Sequence, residues 1–326
     1  MFLFTQDNII LLKWIRFFFE QLKLPKPNYH FDSKNLTYHE QISKMIKEIS
    51  SCIKKEKINI LLVQGDTNSV LAGAIASKKE KILLGHVEAG LRSYDLRMPE
   101  EHNRFICDHL SDFLFCPTEE SAQILKKEGI EKNNIFVTGN TIVDAVNENV
   151  KLTKVHSEKK PFFILTLHRA ENVDSENILA EILTGIEKIS EISDNKIIFP
   201  VHPRTLKKIN ENNLKIPKNV SIVQPMGYLE FLSLLKDSAM VMTDSGGIQE
   251  EACVLKVPCI TLRISTERPE TVEVGANIIA GTNSNEIFNS AKKMINIERN
   301  WKNPFGDGNS AKKIIEIIKK SFSDFE

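Results

Sequence analysis

At 326 residues, with 43 basic and 43 acidic side chains, the chain is long enough for two ordinary domains. Its formal net charge of zero provides no overall field that would draw it to nucleic acid or a membrane surface, so any anion site must be local. The five cysteines form no C-x-x-C pair, which argues against a disulfide framework or a zinc site and fits a reducing cytoplasm.

Residues 1–22 are rich in Phe, Ile and Leu, but Asp7, Lys13, Arg16 and Glu20 interrupt them too often for a membrane span. They also lack the order of a signal peptide, so an amphipathic helix after a short strand is expected. The spacing of Ile42, Met45, Ile46, Ile49 and Ile53 predicts a helix over 40–55. A buried strand over 58–63 then runs into Gln64-Gly65-Asp66-Thr67-Asn68-Ser69, and a small-residue helix over 70–77 follows. Next come a strand over 82–87, a loop over 88–98 and a helix opening at Pro99, where proline suits the first helical position. A strand over 112–116, a helix over 119–128, a strand over 135–138 and a helix from Thr141 complete the first half.

The stretch up to Lys160 is polar and lysine-rich, which places a first domain at 1–155 and a second at 156–326, with the last helix crossing back to the first. The second half repeats the alternation, with strands over 162–167, 196–201, 220–224, 239–242 and 258–262. Helices over 178–192, 205–212, 229–236 and 248–255 separate them. Short apolar strands alternating with helices predict α/β architecture: two Rossmann-like domains with parallel sheets covered on both faces. Ligands in such sheets bind beyond the carboxyl ends of the strands. There is no G-x-G-x-x-G, so a dinucleotide site is not supported.

Asp66, Glu88 and Glu100 each follow a strand of the first half. Clustered carboxylates suit proton abstraction from carbon and its return, although a carboxylate at a helix start is also an ordinary cap. Glu100 and Arg104 stand four apart on one helix, the spacing of a plain ion pair. His168-Arg169 and His202-Pro203-Arg204 end successive strands of the second half, where a histidine with an arginine behind it fits an anionic ligand and a proton carrier. The run Thr243-Asp244-Ser245-Gly246-Gly247-Ile248-Gln249-Glu250-Glu251 reads as a strand stopping at a helix start. Unpaired N–H groups and the helix dipole there would cradle phosphate, though a glycine turn kept for packing would look the same. Arg268, in Thr266-Glu267-Arg268-Pro269-Glu270, could fork onto a diphosphate or form a helix-start ion pair.

In order along the chain stand Q-G-D-T-N-S, H-V-E-A-G-L-R-S, P-E-E-H-N-R, G-N-T-I-V-D-A, L-H-R-A-E-N, P-V-H-P, T-D-S-G-G-I-Q-E-E, T-E-R-P-E and N-P-F-G-D-G. This set resembles the non-hydrolysing UDP-N-acetylglucosamine 2-epimerases. The resemblance implies two facing Rossmann-like domains of the GT-B type with an interdomain cleft. It also implies a homodimer formed through the first domain and chemistry without cofactor or metal. Acid/base and sugar-contacting roles would fall to Asp66, Glu88, Glu100, Arg104 and His168. Diphosphate and uridine contacts would fall to Ser245, Gly246, Gly247, Glu251 and Arg268, with Phe231 near the uracil and His202 facing the same cleft. UDP would leave by anti elimination across C1 and C2 and return after a proton reaches the other face of C2. Family members begin with a strand leading into G-T-R-P-E, which Met1 to Asn8 does not match, so the first strand and helix are expected to be missing. A hydrolysing epimerase, an epimerase of another UDP-2-acetamido sugar, a GT-B glycosyltransferase and a non-catalytic UDP-sugar binder are the alternatives.

Overall fold

A computed structural model describes residues 4–7, 19–32, 36–153 and 161–323. The chain divides into two units, one of residues 1–144 with 305–326 and one of residues 145–304. The division falls at 144/145, earlier than the 155/156 read from the lysine-rich stretch, and residues 305–326 belong with the first unit.

In the first unit, β1 (Phe4–Asp7) and β2 (Tyr29–Asp32) pair in parallel as a two-stranded ribbon. Four further strands, β3 (Ile60–Gln64), β4 (Leu83–Val87), β5 (Phe113–Cys116) and β6 (Ile135–Val137), form a parallel sheet in chain order. The N-terminal amphipathic helix expected from the sequence falls largely on residues outside those described. Helix Tyr38–Glu56 begins with a capping box in which Thr37 and Glu40 satisfy each other's backbone, and ends at Lys57 in the left-handed region, φ 49°. Its apolar stripe buries Met45, Ile49, Cys52 and Ile53 against Leu61 and Val63 of β3 and the alanines of helix Asn68–Lys79. Truncating Met45, 1% exposed, would cost ~2–5 kcal/mol. The other face of the sheet packs Val87, Phe113 and Phe115 against Ile314 and Ile318 of the final helix, Ser310–Ser323.

The second unit holds a six-stranded parallel sheet of β7 (Phe162–Thr166), β8 (Lys196–Pro200), β9 (Val220–Val223), β10 (Met240–Thr243), β11 (Cys259–Thr261) and β12 (Asn277–Ile279). Their order is β12-β11-β10-β7-β8-β9, so the direction of winding reverses between β7 and β10. Phe163 and Leu165 of β7 enter one core and Phe162 and Ile164 the other, which is why this strand reads as a continuous apolar run. Both units are thus α/β with parallel sheets. No helix among the described residues is long and apolar enough to cross a membrane.

Candidate active site

The polar segments at the carboxyl ends of β3 and β4 are tied together by side chains from helix Pro99–Leu110. Arg104 donates to Asp66 Oδ2 through Nε (3.0 Å) and Nη2 (2.6 Å), and to Glu101 Oε2 through Nη1 (2.7 Å). Asn103 Nδ2 donates to the Asp66 carbonyl at 2.8 Å. Arg104 is buried, whereas the Asp66 side chain stays 31% exposed, so the carboxylate is held from behind and open in front. The ion pair read from four-residue spacing is therefore replaced: Arg104 serves Asp66 and Glu101, and Glu100 makes no side-chain bond among the described residues. Glu101 also accepts from the N–H groups of Ser93 and Tyr94. Against burial, which would raise it, these bonds and Arg104 hold its carboxyl below the usual range. Glu88, at φ +69°, accepts from Gln64 Nε2 at 2.9 Å.

In the second unit, one cavity of about 380 Å³ opens at the carboxyl ends of β7, β8 and β10. His168, His202, Phe231, Ser245, Gly247 and Glu251 all line it. Helix Gly246–Val254 starts two residues earlier than its apolar pattern indicates, with Ser245 as N-cap and no side chain capping the first turn. The N–H groups of that turn have no intrahelical partner. Nothing lies within 4 Å of where a Cβ on Gly247 would sit, so the backbone there is approachable.

Asp244 organises the neighbouring turn. Fully buried, it accepts from His168 N–H (3.0 Å), Arg169 N–H (2.9 Å) and Asn172 Nδ2 (3.3 Å). This leaves the His168 side chain 42% exposed, with its ring 6.5 Å from that of His202. His202 Nδ1 accepts from Arg204 N–H, which places a neutral ring's proton on Nε2. Burial, then the neighbouring His168 and Arg204, push its pKa down. Burial raises the Glu251 carboxyl to about 7, opposed by a bond from Tyr228. The Arg268 side chain lies 2.5 Å from Glu250, and its own N–H donates to Thr266 Oγ1, which in turn bonds Gln249. Both readings of Arg268 therefore keep a basis, as it sits at a helix start in an ion pair beside the Ser-Gly-Gly helix.

A family model described as UDP-N-acetylglucosamine 2-epimerase matches residues 13–319. The chain belongs to that family. It is 52% identical over 317 residues to UDP-N-acetylglucosamine 2-epimerase of Methanocaldococcus jannaschii, covering 93% of this chain and 87% of that protein. UDP-2,3-diacetamido-2,3-dideoxy-D-glucuronate 2-epimerase of Pseudomonas aeruginosa is 39% identical over 310 residues, covering 93% of this chain and 86% of that one. The crystal structure of the M. jannaschii UDP-GlcNAc 2-epimerase in complex with UDP-GlcNAc and UDP matches with a TM-score of 0.84 at 51% identity, over 94% of this chain and 88% of that chain.

Two residues that shape these turns carry no assigned role in the sequence motifs. Asp244 is one, because its partners lie some 75 positions away. Arg169, read as the arginine behind His168 that suits an anion, has its Nε buried without a partner among the described residues. Arg263, 4% exposed, forks onto Glu267 at 2.9 and 3.0 Å and reaches Glu171, stiffening the loop before Arg268. No motif pointed to Arg263; only its position just past the end of β11 could have.

Proposed function

We propose that the protein interconverts UDP-N-acetylglucosamine and UDP-N-acetylmannosamine by inversion at C2. The C2–H bond breaks to a base while the C1–O bond to the β-phosphate breaks, giving 2-acetamidoglucal and UDP. A proton then reaches the opposite face of C2 and UDP re-adds at C1. Two proton-transfer groups are needed, one for each face, together with donors for the departing diphosphate. Asp66, Glu88 and Glu100 supply the carboxylates, and Arg104 orients Asp66. The first-turn N–H groups of Ser245 to Gly247, with Arg169 and Arg268, receive the diphosphate. Phe231 stacks near the uracil, Glu251 takes the ribose hydroxyls, and His168 and His202 flank the leaving group.

The observation that carries this reading is that one chain holds an uncapped, approachable helix start beside two histidines and also a carboxylate gripped from behind by an arginine. The first set suits an anion and the second suits proton chemistry. Incubation of the purified protein with UDP-N-acetylglucosamine, followed by NMR, is expected to show the UDP-N-acetylmannosamine anomeric signal growing without free sugar. Accumulating free N-acetylmannosamine would reassign it as hydrolysing, and the absence of any epimer would overturn the reading. The Pseudomonas relative motivates one further arm, the same assay with a UDP-2,3-diacetamido uronate, which is expected to turn over more slowly.

We further propose a homodimer formed through the first unit, where Phe105 and Ile106 stand exposed on helix Pro99–Leu110. Sedimentation should give twice the chain mass. Five buried free thiols and a nucleotide-sugar substrate fit a cytoplasmic setting.

A further inference from the structure

Beneath the turns that carry Asp66 and Glu88 lies one buried charged pair. His86, in β4, is fully buried. Its Nδ1 is 2.7 Å from Asp108 Oδ1, and its Nε2 is 2.9 Å from the carbonyl oxygen of Gly65. A neutral imidazole has one donor nitrogen and one acceptor nitrogen. Here both nitrogens face oxygens that accept. Arg92 Nη1–H at 2.7 Å and Gly90 N–H at 3.2 Å, both given to its second oxygen, favour Asp108 as an ionised acceptor over Asp108 as the missing donor. Against burial, His86 and Arg92 hold that carboxyl below the usual range. The extra proton belongs on the ring.

We propose that His86 is a permanently protonated imidazolium which, with Asp108, positions the two turns bearing Asp66 and Glu88. This rests on the epimerase reading for its catalytic consequence but not for the charge itself. Through Nε2–H, His86 grips the carbonyl of Gly65, the residue before Asp66, which sits at φ +81°. Through its other oxygen, Asp108 grips the N–H of Gly90, two residues after Glu88 and also at φ +81°. A Cβ on Gly90 would meet the Ser121 carbonyl oxygen at 2.3 Å, so that turn has no room to relax. The turns are also latched to each other, since Gly65 N–H donates to the Val87 carbonyl and Gln64 to Glu88. A neutral ring would leave one grip without its donor, and displacement of a reacting group by about an ångström costs on the order of 10²-fold in rate.

The groups facing the ring balance its charge. Asp108 comes from helix Pro99–Leu110, and Arg92, bound bidentately to Glu128, comes from the loop after β4. Glu88 stands at the end of His86's own strand, and burial keeps the nearby Cys107 and Cys116 as thiols. Burial lowers the ring's affinity for a proton, but Asp108, the Gly65 carbonyl and Glu88 together raise it above its ordinary value.

The test is the full chain labelled with 15N-histidine, with imidazole spectra recorded from pH 6 to 8.5 and His86 assigned by its loss in His86→Gln. Both His86 nitrogens are expected to carry protons throughout. A bare Nδ1 or Nε2 on His86 at pH 8 overturns the proposal. Asp108→Asn, whose amide can donate to Nδ1, is expected to return a neutral ring; a ring still doubly protonated in that variant overturns the role of Asp108. In His86→Gln, kcat for C2 exchange is expected to fall by about 10- to 100-fold, with UDP affinity in the second unit unchanged within about twofold. An unchanged kcat overturns the positioning role. If the wild-type protein gives no C2 exchange, the functional reading fails separately, and the nitrogen spectra still uphold or overturn the imidazolium.

Discussion

The carboxyl ends of β3–β4 and of β7–β10 are built by different means, and in the proposed reaction they have different tasks. Around β3–β4 three carboxylates are each paired with an arginine, Asp66 and Glu101 with Arg104 and Asp108 with Arg92, while Glu88 accepts from the uncharged Gln64. At β7–β10 the proposed anion site instead joins the backbone N–H donors of the Ser245–Gly247 turn to histidines and arginines, and the buried Asp244 is turned inward to hold a loop. The contrast follows from what each must do. Proton transfer needs titratable groups with tuned affinity, whereas binding a charge that grows on a leaving diphosphate needs fixed dipoles that require no reorganisation.

The sharpest way to break this contrast is to remove charge from one region and read the other. Asp66→Asn should lower kcat by roughly 10² to 10⁴ while calorimetric UDP affinity stays within about twofold. A loss below about tenfold would remove Asp66 from proton transfer. Second in size is the pH response of Glu251. Its native pKa of about 7 lies above the ordinary value of 4.5, so the folded protein holds a proton there that the unfolded chain releases. The stability this contributes is complete below about pH 4.5 and is lost as pH rises through about 7, by up to ~3 kcal/mol at about 1.4 kcal/mol per unit. Glu251→Gln should abolish that slope in denaturant titrations; an identical slope in the variant would contradict the assignment. Arg268→Ala should weaken UDP binding by ~1.5–3 kcal/mol with little change in kcat for bound substrate. The smallest and most diagnostic change is Gly247→Ala, where the two effects have opposite signs. With open space for the Cβ, the helix start should gain up to ~1 kcal/mol of stability, while UDP affinity drops about tenfold, ~1.4 kcal/mol. Equal UDP affinity would mean that the diphosphate does not approach that backbone.

Most of the sheet was legible because both faces of each strand are covered, so residues such as Phe162 to Leu165 form unbroken apolar runs. β2, Tyr-His-Phe-Asp, and β12, Asn-Ile-Ile, escaped because they are three or four residues long and carry polar groups. Too few positions remain there for a period to emerge. The helix start at Gly246 was misplaced by two residues because glycines carry no apolar signal. Candidate positions were legible wherever polar residues interrupt a strand's end, as at Asp66 and at the cavity-lining His168 and Ser245. Their partners were not. Four-residue spacing favours Glu100 for Arg104, but the fold delivers Asp66 from 38 positions away and a better-placed Glu101. The His86–Asp108 pair was hidden for the same reason, since a histidine inside an apolar strand reads as core until its two acceptors are seen.

The central claim is that C2 is deprotonated on one face and reprotonated on the other by groups of this chain. Turnover of UDP-N-acetylglucosamine in deuterated water, read by mass spectrometry and NMR, tests it most directly. Every UDP-N-acetylmannosamine formed should carry one solvent deuterium at C2. An epimer that keeps its original C2 hydrogen would contradict the account.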